Sequence, residues 1–157
     1  MAKRLLIVLG MVVLAACSKK NEVTPAASTE AQVKFEVLQK TKLSTGEVVE
    51  AQQKIGSVHI WKADSKTFSV SFNDAISGYA FDESAKKSVK ADKSLVSGFA
   101  TPVSLAPGRY FVFVITDASG SLSSAYSYTY FDAKAGQAYT MKKVFSETAV
   151  SLGYEAW

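Results

Sequence analysis

The chain has 157 residues, 48% hydrophobic and 20% charged, with 18 basic and 14 acidic side chains. That length holds one domain and is short for two, and the apolar fraction excludes a wholly disordered chain. A single Cys and a single His exclude a disulfide framework and a Cys/His zinc cluster. The aromatic residues, 9 Phe, 7 Tyr and 2 Trp, all fall at or after Phe35, so the core begins there.

The chain opens with Lys3 and Arg4 and then an uncharged apolar run from Leu5 to Ala16. As a helix, a run of about a dozen residues reaches roughly 18 Å, short of a hydrocarbon core of roughly 30 Å. Residues 1–16 therefore read as a secretory signal rather than a permanent span. Leu14-Ala15-Ala16-Cys17 resembles the lipobox of bacterial lipoproteins. The resemblance implies that Cys17 takes a thioether-linked diacylglyceryl group, becomes the first residue on cleavage and is then N-acylated. Acyl chains at about 0.8 kcal/mol per buried CH₂ make a firm anchor. Loss of Lys3 and Arg4 with the signal lowers the formal charge from +4 to +2. No basic stripe argues for nucleic acid. After Cys17 the polar, small residues Ser18 to Glu30 read as a tether, so residues 17–30 carry the lipid and linker, and residues 31–157 form the domain. Ser18 stands where an Asp would hold an enterobacterial lipoprotein at the inner membrane; that likeness points to the outer membrane. Lys19-Lys20-Asn21-Glu22 loosely resembles the export tags of Bacteroidota surface lipoproteins, and the periplasmic and surface-facing sides both stay open.

From Ala31 the pattern has period two. Val33, Phe35 and Val37 alternate with Lys34 and Glu36, a half-buried strand. Thr45-Gly46 marks a turn; Val58 and Ile60 alternate with His59 and Trp61; Phe68, Val70 and Phe72 alternate with Ser69 and Ser71. Ala106-Pro107-Gly108 turns the chain into Arg109 to Thr116, apolar on both faces, as a central strand covered on both sides would be. Asp117 to Gly120 turns again, Tyr126, Tyr128 and Tyr130 alternate with Ser127 and Thr129, and Tyr139 to Phe145 makes a last strand. These elements predict an all-β fold, a single antiparallel β-sandwich of about seven strands. The exception is a Lys-, Ser- and Ala-rich crossover near 82–97, expected as a short helix lined by Ala85, Val89, Leu95 and Val96 or as irregular chain.

Val103-Ser104-Leu105-Ala106-Pro107-Gly108-Arg109-Tyr110-Phe111-Val112-Phe113-Val114 resembles the V-x-L-x-x-G-x-Y-x-V-x-V strand of transthyretin-like (prealbumin-like) sandwiches. These include carboxypeptidase regulatory-like and Cna-B-like modules. Gly56 to Lys62 is similar to their upstream strand, and the likeness spans about residues 33–146. It implies the fold and names no ligand. Cna-B modules often carry a Lys–Asn crosslink near the last strand; the domain's single Asn, Asn73, is mid-chain, so no such bond is expected.

Candidate sites are few. His59 would need an activated nucleophile and an orienting acid; Ser57 shares its strand face, no Gly-x-Ser-x-Gly elbow exists, and a half-exposed surface His is the simpler expectation. Tyr126, Tyr128 and Tyr130 project from one face at about 7 Å intervals, able to stack sugar rings or a partner, or else to serve as core under the 82–97 crossover. Asp64, Asp74, Asp82, Glu83 and Asp92 lack calcium-loop spacing, and Lys86, Lys87, Lys90 and Lys93 read as a solvated face. The tail from Thr148 to Trp157 alternates like an edge strand, pairing within the chain or donated to a partner. The expectation is a lipid-anchored, non-catalytic adhesion, scaffold or recognition module, with no cofactor, metal or nucleic acid and with a protein or glycan partner. A carbohydrate-binding accessory lipoprotein of a glycan-uptake system and a small envelope hydrolase are the alternatives.

Overall fold

The computed structural model describes residues 29–52, 56–96, 99, 101–116, 125–146 and 153–157. The expected signal, Cys17, most of the tether, the 117–120 turn and the first part of the tail lie outside the described residues.

Alternation builds the first sheet. Strand β1 (Ala31–Lys42) buries Val33, Phe35 and Val37 to 1% exposure or less and turns Lys34 and Glu36 outward. It pairs in antiparallel fashion with β2 (Val48–Gln52) and with β8 (Val103–Leu105), and in parallel with β11 (Ala138–Phe145). The central sheet runs in the order β12 (Gly153–Tyr154), β10 (Ala125–Ala133), β9 (Gly108–Thr116), β3 (Gly56–Lys62), β7 (Lys93–Val96). A third, small sheet contains β4 (Phe68–Ser69), β5 (Tyr79–Asp82) and β6 (Lys87–Lys90), and one short helix, α1 (Phe72–Ile76), precedes β5.

The two-faced strand β9 explains how these layers stack. Tyr110, Val112 and Val114 face a core completed by Val33, Phe35 and Val37 of β1, Val58 and Ile60 of β3, and Phe145 of β11. Phe111, Phe113 and Ile115 face a second core with Trp61, Phe68, Ala75 and Ala80. Each large side chain so buried contributes about 1.5–3 kcal/mol. A two-sheet sandwich therefore carries a third layer, the small sheet with α1, on the back of its central sheet. The all-β, sandwich-like architecture agrees with the sequence expectation, with twelve strands among the described residues rather than about seven because several are only two to four residues long.

The chain crosses from the first sheet to the central sheet at the β8–β9 corner. There the Tyr110 hydroxyl donates to the Ala106 carbonyl at 2.8 Å, a device that recurs at sandwich corners. Leu105 is 2% exposed on one side of the corner. At Gly108 (φ +150°) a Cβ would stand 2.8 Å from Asp64 Oδ1, the oxygen that accepts the Arg109 N–H. The Leu-x-x-Gly-x-Tyr spacing is thus a packed residue, a close approach and a hydrogen bond.

Two expectations need correction. Over residues 82–96 the segment expected as a helix or an irregular crossover is neither: β5 and β6 form a hairpin, and β7 joins the central sheet. The cause is Asp82, whose Oδ1 accepts the N–H groups of Ser84 and Ala85 at 2.9 and 3.0 Å and closes a turn with Lys86 at φ +51°. Ala85 is consequently exposed in that turn rather than on a helical stripe, and Val96 is 70% exposed. The strand expected through Phe72 stops at Ser69, because Ser71 caps α1, accepting the Asp74 N–H at 3.2 Å.

Candidate functional site

Register decides what the central sheet presents on its third-layer side. Tyr126, Tyr128, Tyr130 and Asp132 of β10 stand opposite Ile115, Phe113, Phe111 and Arg109 of β9. Same-face residues along a strand repeat at about 7 Å. The third layer covers β3, β9 and both ends of the tyrosine row. At one end the Tyr130 hydroxyl accepts the Phe68 N–H at 2.7 Å and its ring lies 4.9 Å from Phe111. At the other, Tyr126 packs between Phe72 at 5.5 Å and Phe113 at 5.6 Å. Between them Tyr128 is left 37% exposed, resting on Phe111 at 5.7 Å.

The tail extends this surface. Tyr154 on β12 is 48% exposed, with its ring 4.9 Å from Tyr128 and 5.8 Å from Tyr126. β12 is held to β10 by parallel pairing and by the Glu155 N–H donating to the Tyr126 carbonyl at 2.9 Å. The Glu155 carboxylate accepts the Ser146 hydroxyl at 2.7 Å, and the buried Lys143 ammonium donates to the Ala156 carbonyl at 2.5 Å. Burial lowers the Lys143 pKa, with Glu155 pulling the other way. The described part of the tail is therefore an edge strand of its own chain.

The three tyrosines do share a face, but they do not share a role: Tyr130 and Tyr126 are half-buried supports and Tyr128 is the open ring. Residues 82–96 pack on the opposite half of the sheet, where the Val89 carbonyl accepts the Trp61 indole N–H at 3.1 Å. Sequence reasoning missed Tyr154, since a two-residue parallel pairing across the tail leaves no local signal. It also missed Arg109 and Asp132, which continue the same-face rows of β9 and β10 and were legible there. The Arg109 guanidinium lies 4.8 Å from the Tyr130 ring centroid. Among the described residues neither the Arg109 nor the Asp132 side chain forms an ion pair or hydrogen bond.

His59 is buried at 4% exposure, not half-exposed on the surface, because Gly78 lies over it: a Cβ there would stand 3.3 Å from Nδ1. Its neighbour is Ser94 of β7, at 2.8 Å from Nδ1, rather than Ser57. Nε2 is buried with no hydrogen-bond partner, and burial holds the imidazole pKa below its ordinary value. A serine and a histidine in contact make two members of a nucleophile–base–acid triad; the nitrogen that the acid would orient faces none.

The acidic residues are absorbed locally. Asp64 takes the Arg109 N–H, which lowers its pKa, with help from Lys62. Asp82 closes its hairpin and is held low chiefly by the Ala85 N–H; Glu83 is held low by the Ser69 hydroxyl and Lys86; Asp74 belongs to the α1 cap. Asp92 accepts the Lys62 N–H at 2.5 Å. Among the described residues no three His, Cys, Asp or Glu side chains converge as a metal site would require, and no helix is long and apolar enough to cross a membrane. A cleft of about 310 Å³ opens beside Ile60, Leu105 and Tyr110, rimmed by Lys62, Asp92 and Lys93. Its rim mixes both signs of charge and converges on no single chemistry.

No protein-family profile, curated protein or solved structure matches the chain.

Proposed function

We propose that the chain is a lipid-anchored bacterial envelope protein that works without catalysis, as a recognition module. In this reading acyl chains on Cys17 hold it at the outer membrane, residues 18–30 lift the domain from the bilayer, and the tyrosine face makes the contact. The observation that carries it is the incomplete third layer, which leaves Tyr128 and Tyr154 exposed on a floor of buried aromatic rings. Rigid aromatic area with a polar tip is the kind of surface that recognition uses. The transthyretin-like kinship proposed from residues 103–114 draws support from the Tyr110 corner. The hydrolase alternative rests on His59 and Ser94 alone, and the partnerless Nε2 weighs against it.

The test combines two measurements on the full chain in its bacterial host. Metabolic palmitate labelling and membrane fractionation of the parent are compared with Cys17→Ser; label and membrane recovery are expected to vanish together. Cross-linking of intact cells with a tyrosine-directed reagent is then expected to trap an envelope partner through Tyr128 and not in Tyr128→Phe. An unlabelled parent sinks the anchor, and trapping that is indifferent to Tyr128 sinks the contact face.

A further inference from the structure

We infer that the Tyr128–Tyr154 face, with Arg109 and Asp132 at its end, is a binding platform for a neutral oligosaccharide. The inference rests on the recognition reading above and names its ligand class. Three observations favour a sugar over a protein. The first is size. Tyr128 and Tyr154 are 37% and 48% exposed. At roughly 150–250 Å² per aromatic side chain they offer together roughly 130–210 Å², well below the approximately 800 Å² that each partner buries in a standard protein interface. A few sugar rings fit such an area. The second is shape. Tyr128 is the open ring of β10 and Tyr154 of the neighbouring β12 adjoins it at 4.9 Å, so two rings side by side across the strands meet the C–H faces of consecutive pyranoses.

The third is the polar end of the row. Arg109 and Asp132 are cross-strand neighbours in register, both exposed. A guanidinium supplies paired donors and a carboxylate paired acceptors, which together suit the adjacent hydroxyls of a sugar. A few placed polar groups beside an apolar wall are what fix orientation in small-ligand sites. The arginine is held in place by its contact with the Tyr130 ring, so less freedom is lost on binding. The support is rigid: Phe111 and Phe113 beneath the row are fully buried.

The test uses the full chain in detergent micelles and affinity gel electrophoresis through a β-glucan, a xylan, an α-glucan and glycol chitin. The first three stand for captured polysaccharide and the last, an uncharged N-acetylglucosamine polymer, for the amino-sugar backbone of a cell wall. Retardation by at least one polymer is expected. Tyr128→Ala and Tyr154→Ala are each expected to weaken it by about tenfold or more. Tyr79→Ala, which removes a tyrosine 41% exposed on β5, is expected to match the parent. Arg109→Gln with Asp132→Asn is expected to change the ranking among the polymers. The inference is overturned if no polymer retards the chain, or if Tyr79→Ala weakens retardation as much as Tyr128→Ala. It is equally overturned if sedimentation shows Tyr128-dependent self-association while every sugar is silent, which makes the face a protein contact. Palmitate labelling of the same samples reads the anchor separately, so failure of the sugar leaves the membrane reading to its own test.

Discussion

Phe111 joins the second core to the tyrosine face, and its removal tests both at once. The ring is 0% exposed. It lies 5.6 Å from Trp61 and Phe68, 5.7 Å from Tyr128 and 4.9 Å from Tyr130. Phe111→Ala deletes the common partner of four rings and leaves a cavity whose walls are held by two sheets. Such a truncation costs about 3–5 kcal/mol, and the aromatic contacts place this one toward the upper end. Against a total of about 5–15 kcal/mol the variant stays folded with little margin. With a urea dependence of about 2 kcal/mol per molar, the midpoint falls by roughly 2 M. Phe111→Leu keeps most of the volume and costs less than about 1.5 kcal/mol. Equilibrium urea unfolding followed by the fluorescence of the buried Trp61, with Trp157 replaced by Phe in every variant, reads both. A loss below about 2 kcal/mol for the alanine variant, or equal losses for alanine and leucine, refutes the assignment of Phe111 as the hub. A double-mutant cycle with Tyr128→Ala is expected to show coupling of about 0.5–1.5 kcal/mol, because the exposed ring rests on the buried one.

Tyr110→Phe removes the corner hydrogen bond and keeps the ring, so thermal unfolding is expected roughly 3–6 °C lower for a loss of about 1 kcal/mol; an unchanged melt refutes the corner. His59 gives stability a pH dependence. Its folded pKa lies below the ordinary 6.5, so the unfolded chain takes up a proton that the folded one refuses. Its contribution is complete above pH 6.5 and is lost as pH falls through the folded value. Denaturant midpoints across this window are expected to decline for the parent and stay flat for His59→Gln; parallel curves refute the account. Asp64, Asp82 and Glu83, held below their ordinary 3.8, 3.8 and 4.5, contribute stability that is present above those values and lost as pH falls through their folded ones. Lys143→Met replaces a buried ammonium by an apolar chain of similar length. Urea midpoints are expected to be unchanged or raised, while a loss of more than about 3 kcal/mol would show that the cation is essential.

The elements legible in the sequence are those where one period governs a whole strand. Val33, Phe35 and Val37 announce β1, and the unbroken run Tyr110 to Ile115 announces a strand covered on both faces, which is what demands a third layer. The nature of that layer was not legible. It is built by side chains acting on backbone over short distances: Asp82 closing a hairpin, Ser71 capping a five-residue helix, Lys86 at positive φ. Composition cannot distinguish these from a lysine-rich helix. The site divides in the same way. Alternation places Tyr126, Tyr128 and Tyr130 on one face, whereas which ring stays open depends on how far Phe68 and Phe72 reach across the sheet. Tyr154 and the His59–Ser94 contact join residues 26 or more positions apart, beyond any local pattern.

The placement of β1 has a mechanical consequence. The strand begins at Ala31 and is bonded along one side to β11 from Gln32 to Gln39, and along the other to β8 and then β2. A tug on the chain ahead of Ala31 runs along the strand axis while the hydrogen bonds lie across it, so the whole ladder bears the load in shear and cannot be peeled one rung at a time. A strand gripped on both flanks in the middle of its sheet is where a domain leashed at that end would be best protected against being pulled apart.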